Sequence, residues 1–158
     1  MKSHPESRCA VKMERGFSLL ELLLVIAIGV ILASLSAPLA IQFYENQLVT
    51  DASKQIQDTL DMARTFSVTN LGDAPHGLFL VPASHQYTLF QGESYVTRDV
   101  GEDQVYDFPA SVTVTATSTE VVFSRLYGTS TIDEVWAVHA GTFFRNIRIH
   151  SSGNVERE

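Results

Sequence analysis

Few residue types in this chain can do chemistry, and they are widely spaced. Glu21 is the one charge between Arg15 and Glu45, inside the apolar run RGFSLLELLLVIAIGVILASLSAPLAI over 15–41. A lone carboxylate in such a run costs about 2.5–3.5 kcal/mol at mid-membrane and less near an end. An acid kept there is a functional-site candidate whose partner has to be found. His76, His85, His139 and His150 are scattered among predicted strands with no two close in sequence, so the case for zinc is weak. Asp99-Val100-Gly101-Glu102-Asp103, with Asp107 following, offers oxygen ligands but fits no calcium-loop spacing, and it reads as a solvated loop. Phe143-Phe144-Arg145-Asn146-Ile147-Arg148 interleaves aromatics with arginines, as single-strand nucleic-acid binders do. Two arginines on an acidic chain make a poor patch, and an ordinary strand with one polar face is the better reading. There is no nucleophile elbow, no HExxH, no phosphate-cradling glycine loop and no cysteine pair. The sequence therefore reads as no enzyme, with no catalytic residue, no metal and no cofactor.

The elements that position Glu21 come next. The run after Arg15 holds about 25 residues, and at a rise of about 1.5 Å each they would cross a hydrocarbon core of about 30 Å. A transmembrane helix is therefore predicted over 17–44. Ser18-Leu19-Leu20-Glu21 is also a capping-box pattern, and a carboxylate in the first turn suits the positive end of any helix. Gly29, Ala33 and Ala37 recur at four-residue steps, a spacing that permits close helix packing in lipid. Pro38 removes a backbone donor, so a kink is expected there.

The order of these residues resembles a known signal. A short basic leader ends in Gly16; Phe17 follows, then Ser18, two leucines, Glu21 as the fifth residue counted from Phe17, and aliphatic residues. This is similar to the class III signal of type IV prepilins and type II secretion pseudopilins, many of which also carry a helix-kinking proline where Pro38 stands. The resemblance implies cleavage between Gly16 and Phe17 by a prepilin peptidase. It implies methylation of the new amine, making N-methylphenylalanine of Phe17, and pairing of Glu21 with the Phe17 amine of a neighbouring subunit. The partners implied are that peptidase, other pilins or pseudopilins, and the cytoplasmic membrane. Another reading of the same stretch is an ordinary secretory signal peptide, with its apolar region over 22–33 and a cut near Ser34-Leu35-Ser36.

Charge agrees with that orientation. The chain has 158 residues and a formal charge of −7, while the leader holds Lys2, Arg8, Lys12 and Arg15 against Glu6 and Glu14. Removing a leader of +2 leaves −9 on the rest. Positive residues before the span and an acidic body after it place the N-terminus in the cytoplasm and the C-terminal domain outside. An acidic body also argues against nucleic-acid binding. Cys9 is the only cysteine and sits in the leader, so the cleaved chain would have no disulfide. Many major pilins have one, which favours a minor pilin or minor pseudopilin.

Over 45–70 the helix turns amphipathic. Leu48, Ala52, Ile56, Leu60, Ala63 and Phe66 or Ser67 form one stripe, with Asp51, Lys54, Asp58, Asp61 and Arg64 mostly off it and Asp61–Arg64 a possible pair. Asn70-Leu71-Gly72 is a stop signal. Residues 71–158 read as β, with strands predicted over 77–81, 86–91, 105–108, 112–117, 120–124, 134–140 and 146–150 and a short one near Val155. One N-terminal helix followed only by strands predicts an α+β, pilin-like fold, the helix laid on antiparallel sheet. The closing run, with Ile147-Arg148-Ile149 and Gly153-Asn154-Val155, resembles the end of H-type minor pseudopilins and fimbrial T-type pilins. The likeness implies a subunit of a type IV pilus-like or type II secretion filament. The alternatives are a membrane-anchored binding module, such as an adhesin or DNA-uptake tip, and a secreted protein behind an ordinary signal peptide.

Overall fold

The computed structural model describes residues 17–158, with only the backbone described at 35–39. The helix α1 is Leu19–Val68, and the chain divides into two compact units, Met1–Leu39 and Ala40–Glu158. The side chains of Ala37 and Pro38 lie outside the described residues, as does Gly16 altogether.

In the first unit, α1 opens after Ser18, whose carbonyl accepts the Leu22 N–H at 3.1 Å. Glu21 lies in the first turn. Among the described residues no helix is long and apolar enough to cross a membrane. The span predicted over 17–44 includes the side chains of 35–39, outside the described set.

In the second unit, α1 lays one face on two four-stranded sheets, all of whose pairs are antiparallel. The buried stripe is Val49, Ala52, Ile56, Leu60 and Ala63, with Ser53, Thr59 and Ser67 beside it. It starts at Val49, one residue later than the expected Leu48, which is only half-buried. Full burial of Ile56 or Leu60 stabilises the fold by about 1.5–3 kcal/mol each. The hydroxyls on this face turn back onto the helix: Thr59 Oγ1 donates to Gln55 O at 2.8 Å and Ser67 Oγ to Ala63 O at 3.0 Å. The helix ends at Val68, and Asn70 takes the left-handed conformation at φ 57° that its short amide tolerates.

The first sheet runs β3 (Asp99–Asp107), β2 (Gln86–Gln91), β1 (His76–Val81), β5 (Glu120–Phe123). The second runs β4 (Thr113–Thr115), β6 (Glu134–Ala140), β7 (Phe143–Ile149), β8 (Val155–Arg157). Alternation turns Trp136, Val138 and Ala140 of β6 and Ile147 and Ile149 of β7 into the core. Trp136 is fully buried, yet its Nε1–H donates to Glu134 Oε1 at 2.6 Å, so its polar handle is satisfied. Tyr87 lies in the same core with its hydroxyl 3.4 Å from Thr59 Oγ1, and burial pushes its phenol up to about 12.

Two expectations are corrected here. The acidic run from Asp99 is not a loop but most of the edge strand β3, paired with β2 on one side only. Nearly all its side chains face solvent, so it carries no apolar alternation for a sequence reading to detect. Its charges and the register break opposite Leu89–Gln91 also protect the edge from strange pairings. Arg64 does not pair with Asp61 among the described ion pairs; its Nε donates to Gly128 O at 3.3 Å. A backbone acceptor held in the turn after β5 needs no ordering of a second side chain, whereas an exposed carboxylate does. Strand β7 also begins at Phe143, three residues earlier than predicted.

Candidate functional site

The N-terminal segment holds the residues that sequence reading singled out. Phe17 precedes the helix and is 83% exposed. Glu21 follows four residues later in the first turn, so both lie at one helix end. A carboxylate there suits the partial positive charge of the unsatisfied N–H groups. Beyond it, Leu19, Leu20, Leu22 to Ile26, Ile28 and Val30 to Leu32 are all exposed, on every side of the helix. A helix apolar all round is stable only when something buries it, lipid or other helices. Nothing lies within 4 Å of where a side chain at Gly29 would begin, so that face is open for close approach. Ala33 shares the face at the next four-residue step, while Ala37 and Pro38 fall outside the described side chains.

The other candidate chemistry is dispersed. His76 is buried beside Phe66, His85 stands edge-on to Phe108, His139 lies near Phe144, and His150 lies 3.9 Å from Glu156. Among the described residues no group of three His, Cys, Asp or Glu could hold a metal. The arginines of the aromatic–basic run are occupied inside the domain. Arg145 donates to Asn46 Oδ1 at 3.1 Å and Arg148 lies 3.8 Å from Asp133.

Sequence reasoning missed how three connections come together. Residues 69–75, 92–98 and 124–131 meet around an open cleft of about 730 Å³ whose lining includes Asp73, Glu93, Thr97 and Arg125. Its only local signals are turn residues, Asn70, Gly72, Gly92 and Gly128, which mark where the chain bends and not which bends meet.

A pilin-like fold is what these elements define. Residues 11–37 match the family described as the prokaryotic N-terminal methylation motif. The fold is α+β, a long N-terminal helix with antiparallel sheets, as in the crystal structure of the Pseudomonas aeruginosa (strain PAO1) type IV minor pilin FimU. The two superpose with a TM-score of 0.56 at 13% identity over 69% of this chain and 91% of that one. No curated protein matches the chain. Motif and fold are both similar to those of type IV pilins.

Proposed function

We propose that this chain is a structural subunit, a minor pilin or minor pseudopilin, of a type IV pilus-like or type II secretion filament. The observation that carries the reading is the helix over 19–32, which lies inside the matched methylation motif and whose apolar side chains are bare on every side, with Glu21 the one charge among them. Before assembly the inner membrane buries it; after assembly the helices of other subunits do. A prepilin peptidase removes residues 1–16 at Gly16–Phe17 and methylates the Phe17 amine, which stays cationic. That amine is the cation for Glu21 of the next subunit. Gly29, Ala33 and Ala37 let helix backbones approach, and Pro38 relaxes the helix between its two halves. The single cysteine in the leader and the Ile147–Val155 ending support a minor subunit of the H-type or T-type kind.

The test is the mature N-terminus. Protein sheared from the native host should begin at methylated Phe17 by mass spectrometry, and Gly16→Leu should keep its leader and stay out of the sheared fraction. A mature chain that begins after Ser36 would overturn the proposal in favour of ordinary secretion.

A further inference from the structure

The cleft where three connections meet has two walls that are each held in place. The connection that supplies Glu93 and Thr97 to one wall is held through Tyr95, which stacks on Phe79 at 3.9 Å, donates its N–H to Glu120 Oε1 at 2.8 Å and has Arg98 3.7 Å over its ring. Arg98 is in turn fixed by Asp103 at 2.8 Å. On the other wall, Arg125 Nη1 donates both to Asp73 O at 2.9 Å and to Asp73 Oδ1 at 2.8 Å, and the Leu126 N–H donates to Ser67 O at 3.0 Å. Asp73 and Leu126 sit at φ 56° and 68°, a left-handed backbone that side chains rarely adopt and that the surrounding bonds must enforce. Together these bonds keep the cleft open and shaped before anything enters it.

Its surroundings are apolar. Val96, Leu126 and Tyr127, beside lining residues on two of the three connections, are exposed, Val96 by 90% and Tyr127 by 81%. Large apolar side chains gathered on loops around a cleft mark a contact surface, whereas scattered ones do not.

Charge selects the occupant. Asp73 already neutralises Arg125, while Glu93 has no ion pair among the described residues. The cleft thus carries one uncompensated negative charge and asks for a cation. A second copy of this chain is a poor source. Its body is acidic, and of its seven cations after the leader Arg64, Arg98, Arg125, Arg145 and Arg148 are already engaged. Resting on the filament reading above, we infer that this cleft docks a different subunit of the same filament, one presenting a basic side chain flanked by apolar ones.

The experiment uses the full chain in its native host on a Cys9→Ser background, so that an introduced cysteine is unique. Val96→Cys and Tyr127→Cys place a thiol at the cleft, and Phe144→Cys places one on the exposed face of β7. A short thiol-to-amine crosslinker then captures a neighbouring lysine. The two cleft thiols should yield an adduct whose second polypeptide is a different chain with its own N-terminal methylation motif, and Phe144→Cys should not. Glu93→Lys should lower the yield about tenfold or more, because like charges then face each other, and Glu93→Gln should lower it less. An adduct with a second copy, equal capture from Phe144→Cys, or no effect of Glu93→Lys overturns the inference. If the processed chain is sheared off with filaments but the cleft thiols stay unlinked, docking fails and the filament reading stands. If the chain never reaches the sheared fraction, the filament reading fails and docking falls with it.

Discussion

The backbone N–H of His76 donates to the Ser67 hydroxyl at 2.8 Å, joining the last turn of α1 to the first residue of β1. Both residues are buried, and the carbonyl of Ser67 also accepts the Leu126 N–H at 3.0 Å. One residue therefore ties the helix end to the first sheet and to the β5–β6 connection. Ser67→Ala would leave a buried N–H without a partner. The cost should be about 1–3 kcal/mol. Chemical denaturation of the fragment 45–158, followed by Trp136 fluorescence, measures it; an unchanged midpoint would show that this joint contributes nothing. The same fragment should be soluble without lipid and give a circular dichroism spectrum richer in strand than in helix.

His76 also sets a pH dependence. Burial pushes its imidazole below the usual histidine value, against smaller raising effects from the Ala74 carbonyl and from the charge of Glu102. The unfolded chain then binds the proton more readily than the folded one, so this residue's contribution to stability is intact above about pH 6.5 and is lost as pH falls through that value. His76→Gln should flatten this part of the stability–pH curve relative to wild type. Identical curves between pH 5 and 7 would mean that the imidazole never has to charge on unfolding.

Gly153 turns the chain from β7 into β8 at φ 84°, and an added Cβ would run into the Gly128 carbonyl. Strain and overlap act together, so Gly153→Ala should destabilise the fragment by about 3 kcal/mol. Gly29→Ala, made in the full chain, has nothing within 4 Å of its new methyl group and should leave the fold intact while slowing filament assembly. Gly29→Ala filaments assembling at the wild-type rate would remove Gly29 from the packing face.

Glu21→Ala separates two roles of one carboxylate. An ionised Glu21 near the helix start can reach water or headgroups while in the membrane. In a filament core that escape closes, and a nearby cation must offset a cost of several kcal/mol. The variant should insert normally and lose its leader, since the cut lies on the other side of Phe17. Its incorporation into sheared filaments should drop by about tenfold or more, a loss of only about 1.4 kcal/mol in pairing. If the cleaved variant incorporates like wild type, Glu21 serves only the helix end.

Much of this was legible in the chain itself because it rests on local order. The Gly16–Phe17–Glu21 spacing, the apolar run and the three- and four-residue stripe from Ala52 to Ser67 are written in neighbouring residues. The strand Glu134–Ala140 could be read to the residue because core and solvent alternate along it at every second position, and Gln86–Gln91 because its run of Tyr, Thr, Leu and Phe stands between the turn residues Ser84 and Gly92. Tertiary structure alone decided the rest. β3 is a strand because β2 offers it backbone partners, and its acidic, solvent-facing side chains say nothing of that pairing. Arg64 reaches Gly128 and not Asp61, because a carbonyl 64 residues away is held in place by the turn after β5, where the Gly128 N–H donates to Ser124 O. The cleft exists only where residues 69–75, 92–98 and 124–131 converge, and convergence is set by the order β3-β2-β1-β5, which no window of neighbouring residues contains.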